Sequence, residues 1–277
     1  LGIVAWGSSL IAMALNKQID IVFLNIFSRP SSEIGFYNLA YSLSVQLYVL
    51  ALGLGPLAQA TLAEGYAKTG QEGMRRGWAL FTKFDGALEL PVFIFAIFYG
   101  QQLITTLYTG VYAPVFSIFY PFALVRLLIL ISGSTFCTSI FYIIHKGQIS
   151  LSLRMAAAVA NVVLDVVLIP IWGVMGAVVA TSVATLGAYT LEMVFLWRYI
   201  RPSFPFVFQG KLLLALLLAI VPTFVLGGEG LFTLLGKAAI YAVTYVTILF
   251  LIKPLGEEDK NLLRAIDPRL YAIAKWF

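Results

Sequence analysis

Residues 156–181 read AAAVANVVLDVVLIPIWGVMGAVVAT, and their punctuation decides the fold. Apolar runs stand on both sides of Pro170, Ile171, Trp172 and Gly173. The proline ring clashes with the preceding turn and is expected to end the first helix, while Gly173 frees the backbone to reverse. The second run opens with a stripe of small residues, Gly173, Gly176, Ala177, Ala180 and Ala184. Inside a bilayer such a stripe lets another helix backbone approach closely, because packing there replaces hydrophobic drive. The segment therefore predicts two membrane-length helices in a tight hairpin, within a closely packed polytopic membrane protein.

Composition agrees. Of 277 residues, 61% are hydrophobic and only 11% charged, and mean hydropathy is +0.94. Soluble domains carry about 25% charged residues, so a soluble reading would leave a core with almost no surface around it. The net charge of +5 does not point to nucleic acid, because the basic residues sit between apolar spans rather than along one helix face. The single cysteine, Cys137, excludes an intrachain disulfide or a CxxC site, and the single histidine, His145, excludes His-cluster metal sites and His-based triads. No cofactor is expected. Leu1 opens directly in a long hydrophobic segment with no basic n-region, which reads as a start within a longer protein rather than a signal peptide.

A bilayer core of roughly 30 Å needs about 20 helical residues. That ruler predicts an all-α bundle of about eight transmembrane helices, near 1–28, 34–62, 78–108, 114–144, 149–170, 174–197, 211–227 and 231–252. A weakly polar link is expected at 64–77 and another at 198–211. Fourteen lysines and arginines, from Lys68 to Lys275, fall on one side of this arrangement, against Arg29 alone on the other. By the positive-inside rule both ends of the segment face the cytoplasm. The tail, 254–277, sets Leu262, Leu263, Ile266, Leu270 and Ile273 among charges and reads as an amphipathic helix on the inner leaflet, or else a frayed end. The punctuation of 1–200 differs from the simpler, leucine-rich 201–253, which divides the chain into a six-helix bundle and two added helices.

Asn161–Thr181 (NVVLDVVLIPIWGVMGAVVAT) resembles the penultimate helical hairpin of the polysaccharide flippases of the MOP superfamily, with its Asn-containing helix, Leu-Ile-Pro, aromatic-Gly turn, Gly-Ala and Ala-Thr. Glu33–Pro56 (EIGFYNLAYSLSVQLYVLALGLGP) resembles their Gly-x-Tyr-x-x-Ala … Pro helix. The likeness covers nearly the whole chain, most clearly 1–200. It implies the second six-helix lobe of a MATE-like fold plus two extra C-terminal helices, with a first lobe in the full protein. It also implies a bacterial or archaeal inner-membrane transporter for undecaprenyl-pyrophosphate-linked oligosaccharide, serving O-antigen, capsule or exopolysaccharide synthesis. Its partners would be the polyprenyl-linked glycan, the bilayer and the first lobe. Asp165 departs from the pattern, since members more often carry asparagine there.

Charges within a span are costly and usually face a polar cavity or a partner. Lys17 and Asp20 lie three residues apart on span one, near Asn16, Gln18 and Asn25. Either Lys17 meets a pyrophosphate or acidic sugar while Asp20 accepts a coupling ion, or the two neutralise each other. Arg126 sits mid-span, where its planar guanidinium suits phosphate oxygens; the alternative is a buried pair with the other lobe. Asp85 and Glu89, at i and i+4, are ion-coupling candidates with proton binding as their chemistry, although pairing with Lys83 or Arg76 at the membrane surface is the expected outcome. Asp165, Glu192 and Lys237 are expected to snorkel toward an interface. Tyr37, Tyr41 and Tyr48 are candidates for stacking on sugar rings. Pro56, Pro91, Pro121 and Pro222 interrupt helical spans, as in transporters that bend.

No GxxxxGK[ST] motif is present, so this chain does not read as an ATPase. Two transporter alternatives remain, a lipid II flippase and a multidrug/cation antiporter; the latter favours an acidic cavity, against Lys17 and Arg126. A membrane-embedded glycan polymerase or ligase would need a sizeable outer loop, and none is foreseen, so the chain reads as a non-enzyme.

Overall fold

A computed structural model describes residues 17–48, 54–266 and 271–272. All regular structure among them is helical: α1 (Gln18–Ile26), α2 (Ser31–Gln46), α3 (Leu54–Thr69), α4 (Gln71–Tyr108), α5 (Val115–Ile131), α6 (Cys137–Ile143), α7 (Gly147–Trp172), α8 (Val174–Ile200), α9 (Phe206–Ile220), α10 (Leu231–Ile252) and α11 (Glu257–Ile266). Five helical stretches are long and apolar enough to cross a bilayer, namely α4, α7, α8, α9 with its following 3-10 turn to Val225, and α10. A sixth is counted if α5 and the Ser134–Ile143 stretch form one broken span. Most of the predicted first span (1–16) and the middle of the second (49–53) fall outside the described residues, and the described residues hold these five or six of the expected eight.

The two hairpin helices, α7 and α8, are inverted relative to those of a soluble protein. On α7 the buried stripe is Ser150, Ala157, Asn161, Asp165 and Ile169, whereas Val159, Val163, Val166 and Val167 are exposed. On α8 the buried stripe is mostly Gly176, Ala177, Ala180, Thr181, Ala184, Ala188 and Glu192. Apolar faces turned outward and polar or small faces turned inward suit a hydrocarbon solvent, where small residues allow close helix contact and polar groups find partners only inside. These features make the chain a multi-pass membrane protein.

Three places correct the sequence expectation. Pro170 does not end its helix: α7 continues through Trp172 and the whole reversal is made at Gly173, with φ +59. Proline in a last turn removes one hydrogen bond, the one Val166 O would accept, and separately Arg29 Nη2 donates to the helix-end carbonyls Ile169 O at 2.6 Å and Pro170 O at 3.2 Å. A side chain at Gly173 would meet the Arg29 guanidinium at 3.2 Å, and one at Gly176 would meet Leu168 O at 2.3 Å, so the small stripe is a steric requirement of the hairpin itself.

The link expected at 64–77 is a helix–helix turn at Gly70 between α3 and α4. Charged residues there are helix-compatible because they pair along the helix: Lys68 with Glu64 at 2.5 Å and Arg76 with Glu72 at 2.9 Å. Lys68 beside it holds the exposed Glu64 carboxyl below its ordinary value.

The span expected at 114–144 is broken. Between α5 and the Ser134–Ile143 stretch the axis turns by 82° at Ser132-Gly133-Ser134, with Gly133 left-handed at φ +71. Trp78 Nε1 donates to Gly133 O at 3.1 Å and fixes the bend.

Packing divides the bundle. Leu24, Tyr37, Phe119, Phe122, Ala177 and Val178 belong to a core joining α1, α2, α5 and α8. Trp78, Phe81, Phe136, Cys137, Phe141 and Leu196 form a second core, toward the basic side. The added helices α9 and α10 pack on each other and on α4, through Leu90, Phe93, Leu212, Leu216, Tyr241 and Tyr245. The tail helix α11 rests on α4: Leu263 packs on Leu80, and Asp259 takes Lys83 at 2.7 Å. Leu270 and Ile273 lie outside the described residues.

Candidate functional site

At the hairpin seam, α7 and α8 meet α1 and α2, and a buried carboxylate pair lies among them. Asp20 is fully buried, as is Asp165. Asp20 accepts from three donors: the Tyr37 hydroxyl, Thr181 Oγ1 at 2.8 Å and Asn161 Nδ2 at 2.8 Å. The same Asn161 amide reaches Asp165 Oδ2 at 3.4 Å, so one side chain bridges both acids. The two carboxyl groups lie within hydrogen-bonding reach of each other.

Counting donors against acceptors defines the chemistry. All the donors just named converge on Asp20, while Asp165 Oδ1 and Asn161 Oδ1 are buried and accept nothing from the protein. Buried polar oxygens are almost always satisfied, and two like charges in a low-dielectric site favour binding a positive charge between them. The set of two carboxylates, an amide oxygen and a hydroxyl suits a proton or a monovalent cation with oxygen ligands. Among the described residues no group of three or more His, Cys, Asp or Glu is placed to hold a metal ion. Asp165 stands eight residues before Gly173, about 12 Å along the helix, which is near the middle of a bilayer core of roughly 30 Å.

One helical turn along α2 from Tyr37 lies a cationic surface. Arg126 on α5 donates from Nε to Ser44 Oγ at 3.1 Å. Its guanidinium sits over the rings of Tyr41 and Tyr48, at 5.3 and 5.8 Å, and Tyr48 Oη donates to Arg126 O at 3.2 Å. Lys17 Nζ donates to Ser42 Oγ at 2.7 Å. Tyr37 and Tyr41 both meet the Phe122 ring edge-on, at 5.7 and 5.3 Å. Phe122 precedes Arg126 by one turn of α5, so the carboxylate pair and the arginine share a mechanical connection.

The structure thus brings Asp20 and Tyr37 together, and sets Lys17, Tyr41 and Arg126 beside each other's helices. Tyr37 is fully buried against Asp20, so it belongs to the acid pair rather than to a sugar-stacking surface. Asp85 and Glu89 are buried on α4, and the basic residues foreseen for them pair elsewhere: Lys83 binds Asp259 and Arg76 binds Glu72. Asn16 lies outside the described residues. Sequence reasoning placed neither Asn161 nor Thr181 in a site and expected Asp165 to snorkel, although Asp165 and Thr181 stand symmetrically about Gly173.

Three expected snorkelling residues point inward instead. Asp165 is in the site. Glu192 is fully buried, accepting from Arg154 Nε at 3.0 Å and Ser150 Oγ at 2.5 Å, with Thr138 beside it. Lys237 is 9% exposed, donates to Gln102 Oε1 at 3.0 Å and sits 4.8 Å from the Tyr99 ring centre. A separate depression of about 700 Å³ lies at the hairpin tip, lined by Arg29, Glu33, Phe36 and Trp172 among others. Comparison with family models, with curated proteins and with solved structures finds no match for this chain.

Proposed function

We propose that this chain forms the second lobe, with two additional helices, of a cation-coupled flippase that moves polyprenyl-pyrophosphate-linked oligosaccharide across a bacterial or archaeal inner membrane, its basic side facing the cytoplasm. The observation that carries the reading is the joint between the buried Asp20–Asp165 pair and Arg126, through Tyr37, Tyr41 and Phe122. Arg126 and Lys17 supply the positive charge for a pyrophosphate, Arg126 through a planar fork matched to phosphate oxygens. Asp20 and Asp165 take up a proton or monovalent cation near the midplane, where transporters of alternating access commonly place such sites.

In this mechanism the cation removes the repulsion between the two carboxylates and draws α7 toward α1. Tyr37 reports that change to α2 and, through Phe122, to α5. Arg126 then shifts between a position engaged with cargo and one stacked on Tyr41 and Tyr48. A multidrug antiporter would place an acidic surface where Lys17 and Arg126 stand, so the anionic cargo is favoured.

The test is genetic replacement, with the full-length protein, in a host lacking its own oligosaccharide flippase. Wild type restores surface glycan. Arg126→Ala reduces it at least tenfold, and Asp165→Asn abolishes its dependence on the ion gradient. Failure of the wild type across several glycan backgrounds, together with export of cationic dyes, refutes the reading.

A further inference from the structure

The helix α10 carries a single charge, Lys237, and that residue is 9% exposed. An ammonium inside an apolar span is costly unless an opposite charge meets it. Among the described residues no carboxylate forms an ion pair with Lys237. It meets two neutral groups of α4 instead, donating to Gln102 Oε1 at 3.0 Å and lying 4.8 Å from the centre of the Tyr99 ring.

The hydrogen-bond count here runs opposite to that of the acid pair. Gln102 gives its amide oxygen to the lysine and keeps Nε2, which is buried and donates to nothing in the protein. An ammonium and an amide nitrogen can only donate, having no lone pair to offer. The hydroxyls close by are already engaged: Tyr99 and Thr223 bond each other at 2.6 Å, and Thr223 also donates to Ile220 O. What is left over is one full positive charge and an amide donor on the same small patch. Its complement is an anionic oxygen, and phosphate, for which lysine is a common partner, supplies several at once.

Placement points to a phosphate that belongs to a lipid. Gln102 stands six residues before the end of α4, and Lys237 six after the start of α10. Both are therefore about 9 Å inside their helix ends, on the side away from the basic link at 64–77. Side chains tilt toward the N-terminus of their helix, which for α10 is that same end, so Lys237 reaches toward the headgroup level. Beside it stands an apolar wall open to hydrocarbon. Phe98 and Phe224 are 46% and 62% exposed and meet edge-on at 6.5 Å. Phe224 also packs on Tyr99, the ring that carries the ammonium. Donors adjoining exposed aromatic rings match an amphiphile, with its phosphate on Lys237 and Gln102 and its chain along the rings. Basic pockets between membrane helices recognise anionic headgroups in this way.

We propose that Lys237 and Gln102 form a binding site for the phosphate of an anionic phospholipid, held between α4 and α10. The lipid then ties the second added helix to the six-helix part of the chain. The proposal stands whatever the cargo, since it concerns a lipid of the surrounding bilayer.

The test uses purified full-length protein in detergent and native mass spectrometry, titrating with dioctanoyl phosphatidylglycerol. Dioctanoylglycerol, which lacks the phosphate, and inorganic phosphate form the other two arms. Lys237→Met is expected to weaken phosphatidylglycerol binding at least about tenfold. Gln102→Glu keeps the lysine but hands it a carboxylate of its own, so it also weakens binding at least about tenfold, while raising the thermal transition. If Gln102 were the only partner Lys237 needs, that substitution would leave lipid binding unchanged. Binding of phosphatidylglycerol but of neither other probe assigns a lipid phosphate. Inorganic phosphate binding with equal affinity and equal sensitivity to both variants overturns the lipid source in favour of a free anion. Dioctanoylglycerol binding as tightly as phosphatidylglycerol overturns the phosphate. Unchanged phosphatidylglycerol affinity in a folded Lys237→Met overturns the site, and where that variant does not fold, unchanged affinity in Gln102→Glu does so.

Discussion

Two buried acids on the α7–α8 seam meet opposite fates. Toward the basic side, Glu192 faces Arg154 and collects further bonds from Ser150 and Thr138. Toward the hairpin, Asp165 faces another carboxylate, Asp20, and one of its oxygens has no donor. The helices, their small-residue packing and their burial are the same in both places. Only the partner differs. A charge that meets its opposite with every oxygen bonded is a fixed strut, whereas a charge that meets its like leaves room for something that arrives and departs. Burial alone therefore does not mark a functional acid in this protein; the donor count does.

The comparison is broken most severely at the strut. Arg154→Met leaves Glu192 buried without its counter-charge and is expected to cost about 3–5 kcal/mol, with Arg154→Met/Glu192→Leu recovering most of it. Denaturant unfolding of the full-length protein in mixed micelles measures both. Equal losses in the single and double variants would show that the pair is not a unit. At the other end the two acids should separate in size. Asp20→Asn puts an amide nitrogen where three donors converge and costs about 1–3 kcal/mol. Asp165→Asn relieves repulsion and leaves stability unchanged or higher, while removing cation binding. A reversed order would mean that Asp165, not Asp20, is the anchored member. The smallest effect belongs to the rim. Lys83 and Asp259 keep 18% and 11% of their side chains exposed, so Asp259 left alone regains only part of its hydration and Lys83→Met costs about 1–2 kcal/mol, read by protease release of the tail.

Much of this seam was legible once the chain is folded about Gly173. Asp165 and Thr181 stand eight residues before and after it, and Arg154 and Glu192 nineteen before and after. An antiparallel hairpin with a one-residue turn sets each of these pairs side by side, so one fold of the written sequence yields both the strut and half of the acid site. The hidden half comes from α1 and α2, whose approach depends on packing over more than a hundred residues of separation, which no local pattern carries. The break at Ser132-Gly133-Ser134 is also written in the chain. Strong apolar runs on both sides outweighed it in a hydropathy ruler, which averages over a single glycine. The helical turn at Gly70 was obscured for the opposite reason: charged residues resemble a loop until their i, i+4 pairing is traced.

Arg29 alters what the charge asymmetry means. It is the sole basic residue assigned to the sparse side, yet its guanidinium is spent on the carbonyl end of α7, at Ile169 and Pro170. The negative end of a helix dipole is the natural partner for such a cation. Arg29, in the loop between α1 and α2, thus acts as an external C-terminal cap on the last carbonyls of α7. The side it occupies then presents no unattached positive charge among the described residues. Anionic headgroups on that side would meet a cation already held at a helix end rather than one extended toward lipid.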